Sequence, residues 1–166
     1  MAIPETMTAE IRGGALMERI LILDDDAANL QGIGGVLRSE QYSVLEASNG
    51  LEAMENEKNC GPISLLVTDM DLPESSGTDI ALKLVALHPS LPVLFISGTP
   101  RVWWTRRDVA NFERFAPTRV DFLEKPFFLS QLLVRVRDLI GRASCCGKES
   151  GMPDTYRRSR ACPAFP

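Results

Sequence analysis

Three short apolar runs in this chain end on charged residues, and that recurrence restricts the fold more than any other feature. The runs are RILILD over 19–24, ISLLVTD over 63–69 and VDFLEK over 120–125. Each reads as a buried strand with a charge at its C-terminal tip. Open parallel sheets build their sites at the C-terminal ends of strands. If the three strands share one sheet, Asp24, Asp25, Asp69 and Lys125 converge on one spot. Like charges held that close repel unless a cation stands between them, so the cluster points to a site.

The spacing between the runs supplies the rest of the fold. Strands are predicted over 19–24, 42–47, 63–69, 92–97 and 119–123, and helices over 28–39, 50–59, 77–87, 102–115 and 129–140. The last helix carries a clear stripe of Leu129, Leu132, Leu133, Val136 and Ile140. Ser76 and Ser130 sit where cap residues are expected. The first helix is weaker, since Gly32, Gly34 and Gly35 each cost about 1 kcal/mol against Ala, yet Leu30, Ile33 and Leu37 mark one buried face. Five βα units in series imply a doubly wound α/β sandwich around a five-stranded parallel sheet, (βα)5. Val, Ile and Leu runs suit strands covered on both faces.

With 166 residues the chain has room for one domain and a real core. No apolar stretch approaches the roughly 20 residues of a membrane helix, and the start lacks the apolar region of a secretory signal. A cytoplasmic protein is the expectation, with no membrane partner. Charge is uneven: 11 basic and 17 acidic residues lie between Ile20 and Ile140, against 5 basic and 2 acidic from Gly141 onward. An acidic core argues against nucleic acid as a partner. Residues 1–18 read as a flexible N-terminal extension, with Met17 as an alternative start. Residues 142–166, rich in Gly, Ser, Pro and Arg, read as a disordered tail. Cys145, Cys146 and Cys162 fall there without a nearby His, a poor zinc pattern that reads as reduced thiols.

The chemistry-bearing residues each have a plain alternative. Asp24-Asp25 offers hard oxygen ligands suited to Mg²⁺, but acidic residues also favour the N-terminus of a following helix. Asp69, in LLVTDMDLPESSG, can act as a carboxylate nucleophile and form an aspartyl phosphate, with a neighbouring Mg²⁺ offsetting the charge of an incoming phosphoryl group. Pro73 fixes the turn that follows, and Gly77 permits close backbone approach or an unusual φ. Ser97, in VLFISGTP, can bond a phosphoryl oxygen or only its local backbone. Lys125 precedes Pro126, and its ammonium can pair with Asp69; a cis bond there would aim it inward.

Taken in order along the chain, these residues resemble the receiver domain of two-component response regulators, a CheY-like, flavodoxin-like fold. The resemblance covers residues 19–141. It implies that Asp24 and Asp25 form the metal pocket, Asp69 is the phosphoacceptor, and Asp71 gives a metal ligand through its backbone carbonyl. It further implies that Ser97 is the switch hydroxyl, Lys125 the lysine of the KPF motif and Phe122 the rotating aromatic. The cofactor implied is Mg²⁺. The phosphoryl donor implied is a sensor histidine kinase or histidine phosphotransfer protein, and an unknown downstream protein receives the signal through the face of helix 4 and strand 5. The expected protein is a single-domain, stand-alone receiver and not a metabolic enzyme; its catalysis is limited to its own phosphorylation and dephosphorylation. Phe122 lacks the usual phenolic hydroxyl, Ala27 replaces a common Pro, and the interval from Ser97 to Lys125 is long. That interval holds Trp103 and Trp104, which read either as an exposed partner anchor or as core cover. Asp69-Met70-Asp71-Leu72-Pro73 also fits most of the signature of haloacid-dehalogenase-like phosphatases, with Pro73 against it. A phosphate-independent pseudo-receiver is a third reading, disfavoured because acceptor, acidic pair and lysine are all present.

Overall fold

The computed structural model describes residues 17–146, apart from 74–75, 105 and 116–118. It contains the predicted doubly wound sandwich: a parallel sheet in the order β2-β1-β3-β4-β5, with β1 at Arg19–Leu23, β2 at Ser43–Ala47, β3 at Leu65–Asp69, β4 at Val93–Ser97 and β5 at Val120–Glu124. The helices are α1 (Ala27–Ser39), α2 (Gly50–Cys60), α3 (Gly77–Leu87), α4 (Arg106–Glu113) and α5 (Leu129–Cys146). β1 and β3 are hydrogen-bonded neighbours, as are β3 and β4, so the tips of these three strands lie side by side.

Alternation along each strand builds two cores. Ile20 and Ile22 of β1 face α1 and α5, meeting Ile33, Leu37, Leu132 and Val136. Leu21 and Leu23 face the other layer with Ala53, Ile80, Leu84 and Phe115. Each fully buried aliphatic side chain contributes about 1.5–3 kcal/mol, which pins the strand register and therefore the strand tips.

Local chemistry sets the helix starts. Asp26 caps α1 by accepting from the Ala28 N–H at 2.8 Å. In α2, Asn49 accepts from the Glu52 N–H, while the Glu52 carboxylate reaches back to the Ser48 N–H. Ser76 caps α3, as expected. The start of α5 differs from expectation: Ser130 lies inside the helix, and Gln131 makes the cap contact by accepting from the Phe128 N–H at 2.9 Å. This is the reach-back half of a capping box. Helix α1 persists through its three glycines because Leu30, Ile33 and Leu37 bury its inner face, and tertiary packing outweighs propensity. Gly34 lies close to β2: a Cβ there would stand 2.4 Å from a Glu46 carboxylate oxygen.

Two elements depart from the sequence expectation. The helix predicted over 102–115 is divided into a single 3-10 turn at Arg101–Trp103 and a short α4. Trp104 leaves the helical path because its indole packs onto Phe112 and Phe122. Helix α5 runs past the predicted end at 140 to Cys146; a Cβ on Gly141 would meet nothing within 4 Å, so nothing about that glycine demands a stop. The extension over 1–16 and the tail over 147–166 lie outside the described residues. Among the described residues, no helix is long and apolar enough to cross a membrane.

Candidate functional site

Three of the five strand tips supply the site. Asp24 follows β1 and is buried; Asp25, next along, is exposed. Asp69 is the last residue of β3 and is only 7% exposed. Their carboxylates offer oxygen atoms that all lie within 4.8 Å of one another. Lys125, just beyond β5, places Nζ 2.5 Å from Asp69 Oδ2 and 3.3 Å from Asp24 Oδ2. The convergence read from the sequence is therefore real for Asp24, Asp25, Asp69 and Lys125.

Neighbouring groups hold these charges in place. Asp24 Oδ1 accepts from the Asp26 N–H at 2.9 Å, and both of its oxygens accept from the Asn29 amide at 3.1 Å. Asp69 Oδ1 accepts from the Asp71 N–H at 2.8 Å, leaving Oδ2 to Lys125. The Asp triplet thus divides its labour, with Asp24 and Asp25 at the site and Asp26 capping α1. Burial pulls the Lys125 ammonium toward neutrality, but the Asp69 hydrogen bond and charge, and then those of Asp24, outweigh it and hold its pKa above the ordinary lysine value. Lys125 is therefore a firm cation beside the carboxylates. The Lys125–Pro126 bond is cis, and the Lys125 N–H donates to the Ser97 carbonyl at 2.9 Å.

Gly77 explains how α3 fits behind the site. A Cβ at this position would stand 1.8 Å from the Asp69 carbonyl oxygen, and the Gly77 N–H donates to the Met70 carbonyl. Close backbone approach, and not an unusual φ, is what this glycine provides.

Among the described residues, the side chains of Ser97 and Phe122 make no hydrogen bond to Asp24, Asp25 or Asp69. Ser97 ends β4 and is buried, but its hydroxyl donates to Asp71 Oδ2 at 3.0 Å and accepts from the Thr99 N–H at 2.9 Å. Asp71 itself is exposed. Phe122, in the middle of β5, is half-buried and meets Trp104 edge-on with centroids 5.0 Å apart. The two tryptophans divide the two readings offered for them: Trp104 packs on the core, while Trp103 is 74% exposed. Asn29 was missed from sequence; its position in the first turn of α1, five residues after Asp24, was the available signal.

This donor set is all oxygen, carries more negative than positive charge and opens to solvent at Asp25 and Asp71. It fits a hard divalent cation.

The fold and the site define a class, a doubly wound α/β module with an acidic pocket at its strand tips, and comparison with known proteins gives it a family. Residues 20–137 match the response regulator receiver domain. The chain is 31% identical over 124 residues to the response regulator receiver protein CpdR of Brucella abortus, covering 75% of this chain and 98% of that one. It is 32% identical over 122 residues to the sensor kinase CckA of the same organism, covering 73% of this chain but only 12% of the kinase. It spans about half of the Mycobacterium response regulator MprA, at 33% identity. Among solved structures, a CheY-like receiver from Methanospirillum hungatei superposes with a TM-score of 0.69 at 25% identity, covering 79% of this chain and 99% of that one. The chain belongs to the response regulator receiver domain family of two-component signalling. That membership decides between the two readings of the 69–73 segment in favour of the receiver over the phosphatase.

Proposed function

We propose that this receiver accepts a phosphoryl group on Asp69 from a phosphohistidine of a sensor kinase or phosphotransfer protein, and signals through the surface near α4 and β5. One observation carries the reading: the buried Asp69 carboxylate at the tip of β3, held between Lys125 at 2.5 Å and the Asp24–Asp25 pair. The relatives named sensor kinase and receiver protein support the same class of partner.

Asp69 attacks the phosphorus; the P–O bond forms, the P–N bond to the donor histidine breaks with its electron pair going to the ring nitrogen, and the donor leaves as neutral imidazole, keeping the proton already on its other ring nitrogen. Asp24, Asp25, Asp69 and the Asp71 carbonyl would hold Mg²⁺, which offsets the repulsion between carboxylate and phosphoryl oxygens. Lys125 passes from the Asp69 carboxylate to a phosphoryl oxygen, a charge-assisted bond about twice as strong as a neutral one. Ser97 turns from Asp71 toward another of the new acceptor oxygens. The module is a two-state element biased by one covalent charge. We further propose that it works as a stand-alone receiver in the cytoplasm, passing its signal to a separate protein, and that it catalyses nothing beyond its own phosphorylation and dephosphorylation.

The test is phosphate incorporation from acetyl phosphate. Stoichiometric labelling that needs Mg²⁺, is abolished by EDTA and is absent in Asp69→Asn is the expected result. A folded, Mg²⁺-binding protein that takes no label from acetyl phosphate or from a kinase would identify a phosphate-independent module. Continuous hydrolysis without phosphoprotein would restore the phosphatase.

A further inference from the structure

The connection between β4 and α4 carries an arrangement that the phosphoryl site does not use. The Trp104 indole N–H donates to the Thr99 carbonyl at 3.3 Å, and the Thr99 N–H donates to Ser97 Oγ at 2.9 Å. One residue of backbone therefore separates Trp104 from the Ser97 hydroxyl. On its other side Trp104 meets Phe122 at 5.0 Å and Phe112 at 5.3 Å. The Arg101 guanidinium lies 5.2 Å from the Trp104 and Phe112 ring centroids and 5.9 Å from that of Phe122. A cation over aromatic faces adds attraction.

Little else secures this segment. The 3-10 turn at Arg101–Trp103 has no side-chain cap, and its backbone bonds, Trp103 to Pro100 and Trp104 to Arg101, are local. Val102 and Trp103 are 86% and 74% exposed. Among the described residues, the anchor to the body of the domain is Trp104 with the Arg101 guanidinium above it.

We infer that Trp104 is a latch that fastens the β4–α4 connection to β5 while Ser97 remains on Asp71, and that phosphorylation of Asp69 releases it. The inference rests on the phosphoacceptor reading above. When Ser97 Oγ turns toward the phosphoryl group, it gives up its bonds with Asp71 and the Thr99 N–H. Thr99 is then free to shift, and the Thr99 carbonyl leaves the indole. Phe122, which has no hydroxyl to bond elsewhere, loses its edge-on partner. The released segment presents Trp104 together with Val102 and Trp103, so the signal leaves the domain as newly exposed aromatic surface. By linkage, whatever weakens the latch favours the phosphorylated state by the same factor.

The test uses the full chain carrying Trp103→Phe, which leaves Trp104 as its sole tryptophan. Asp69 phosphorylation is followed by intact mass and Trp104 by its emission. The expected result is a red shift and stronger acrylamide quenching in proportion to the phosphoprotein formed, and a smaller change per phosphorylated molecule when Ser97→Ala is added. Trp104→Phe, which keeps an aromatic ring but drops the indole donor, should tighten binding of the phosphoryl mimic beryllium trifluoride about fivefold, the worth of one hydrogen bond. A side chain that served packing alone would weaken binding or leave it unchanged. Phosphoprotein with unchanged Trp104 emission overturns the latch and leaves the acceptor reading standing. Unchanged or weaker beryllium trifluoride binding in Trp104→Phe also overturns it. Absence of phosphoprotein overturns both.

Discussion

The charged cluster at the tips of β1, β3 and β5 and the connection after β4 lie at the same edge of the sheet but are held very differently. At the cluster, Asp24 takes bonds from Asp26, Asn29 and Lys125, and Asp69 from Asp71 and Lys125. Every one of those groups is placed by a strand tip, by the turn next to it or by the first turn of α1. The connection has an uncapped 3-10 turn, two exposed apolar side chains and one indole bond to the Thr99 carbonyl. Under the proposed function, the contrast separates duties. Groups that must meet a reacting atom are overdetermined, because small misplacement costs much of the rate. Groups that must move are held by few contacts.

Four measurements would sharpen or break that contrast. The largest effect belongs to Gly77→Ala: the new Cβ meets backbone, which cannot swing aside, so we expect a loss of about 3 kcal/mol in urea unfolding. An unchanged midpoint would mean that α3 is not seated as tightly behind Asp69 as its contacts state. Next is Lys125→Met in EDTA, which leaves two buried carboxylates facing each other. The cost should be about 2 kcal/mol, below that of a fully buried pair because the Lys125 side chain is 26% exposed. Mg²⁺ should restore part of it, and a variant indifferent to Mg²⁺ would count against a shared cation site. On the other side of the comparison, Trp104→Ala should cost about 1–2 kcal/mol and Trp103→Ala within about 0.5 kcal/mol. Equal losses would erase the distinction between the two indoles.

The smallest effect lies at α2. Bonds from the Ser48 N–H and then its hydroxyl hold the Glu52 carboxyl below its ordinary pKa. A depressed folded pKa adds stability that is present above the unfolded value near 4.5 and is lost as pH falls through the folded one. The Tm advantage of the native chain over Glu52→Gln should accordingly shrink on acidification from neutral pH. An advantage that grew on acidification would mean the carboxylate is not the bonded form.

The same contrast governs what could be read in advance. β1, β3 and β4 were legible because strands covered on both faces are nearly continuous apolar runs, and Asp24, Asp69 and Lys125 were legible because charge stands out at the end of such runs. Gly77 was legible as a glycine needing room, though only the structure shows that the Asp69 carbonyl occupies that room. The region after β4 was not legible. Val102, Trp103 and Trp104 are all apolar, and nothing in their order tells which will face inward. That is decided by Phe112 and Phe122, which come from other elements. The end of α5 was missed for the opposite reason: Gly141 looks like a stop but adopts helical backbone. The Ser97–Asp71 bond joins the end of β4 to the loop after β3 across 26 residues, and local pattern does not encode such a pairing.

The backbone bond from Lys125 to the Ser97 carbonyl has a mechanical meaning. It continues the β4–β5 ladder one step past Ser97↔Glu124, so the two residues that would grip a phosphoryl group from either side are riveted to each other through their main chains. The spacing of their backbones is thereby set, like the hinge of a caliper whose jaws still turn. Under the proposed function, a phosphoryl group bound there would be met by rotation of side chains more readily than by parting of the strands. A message sent from such a site would then travel through torsion angles and the loops they tug.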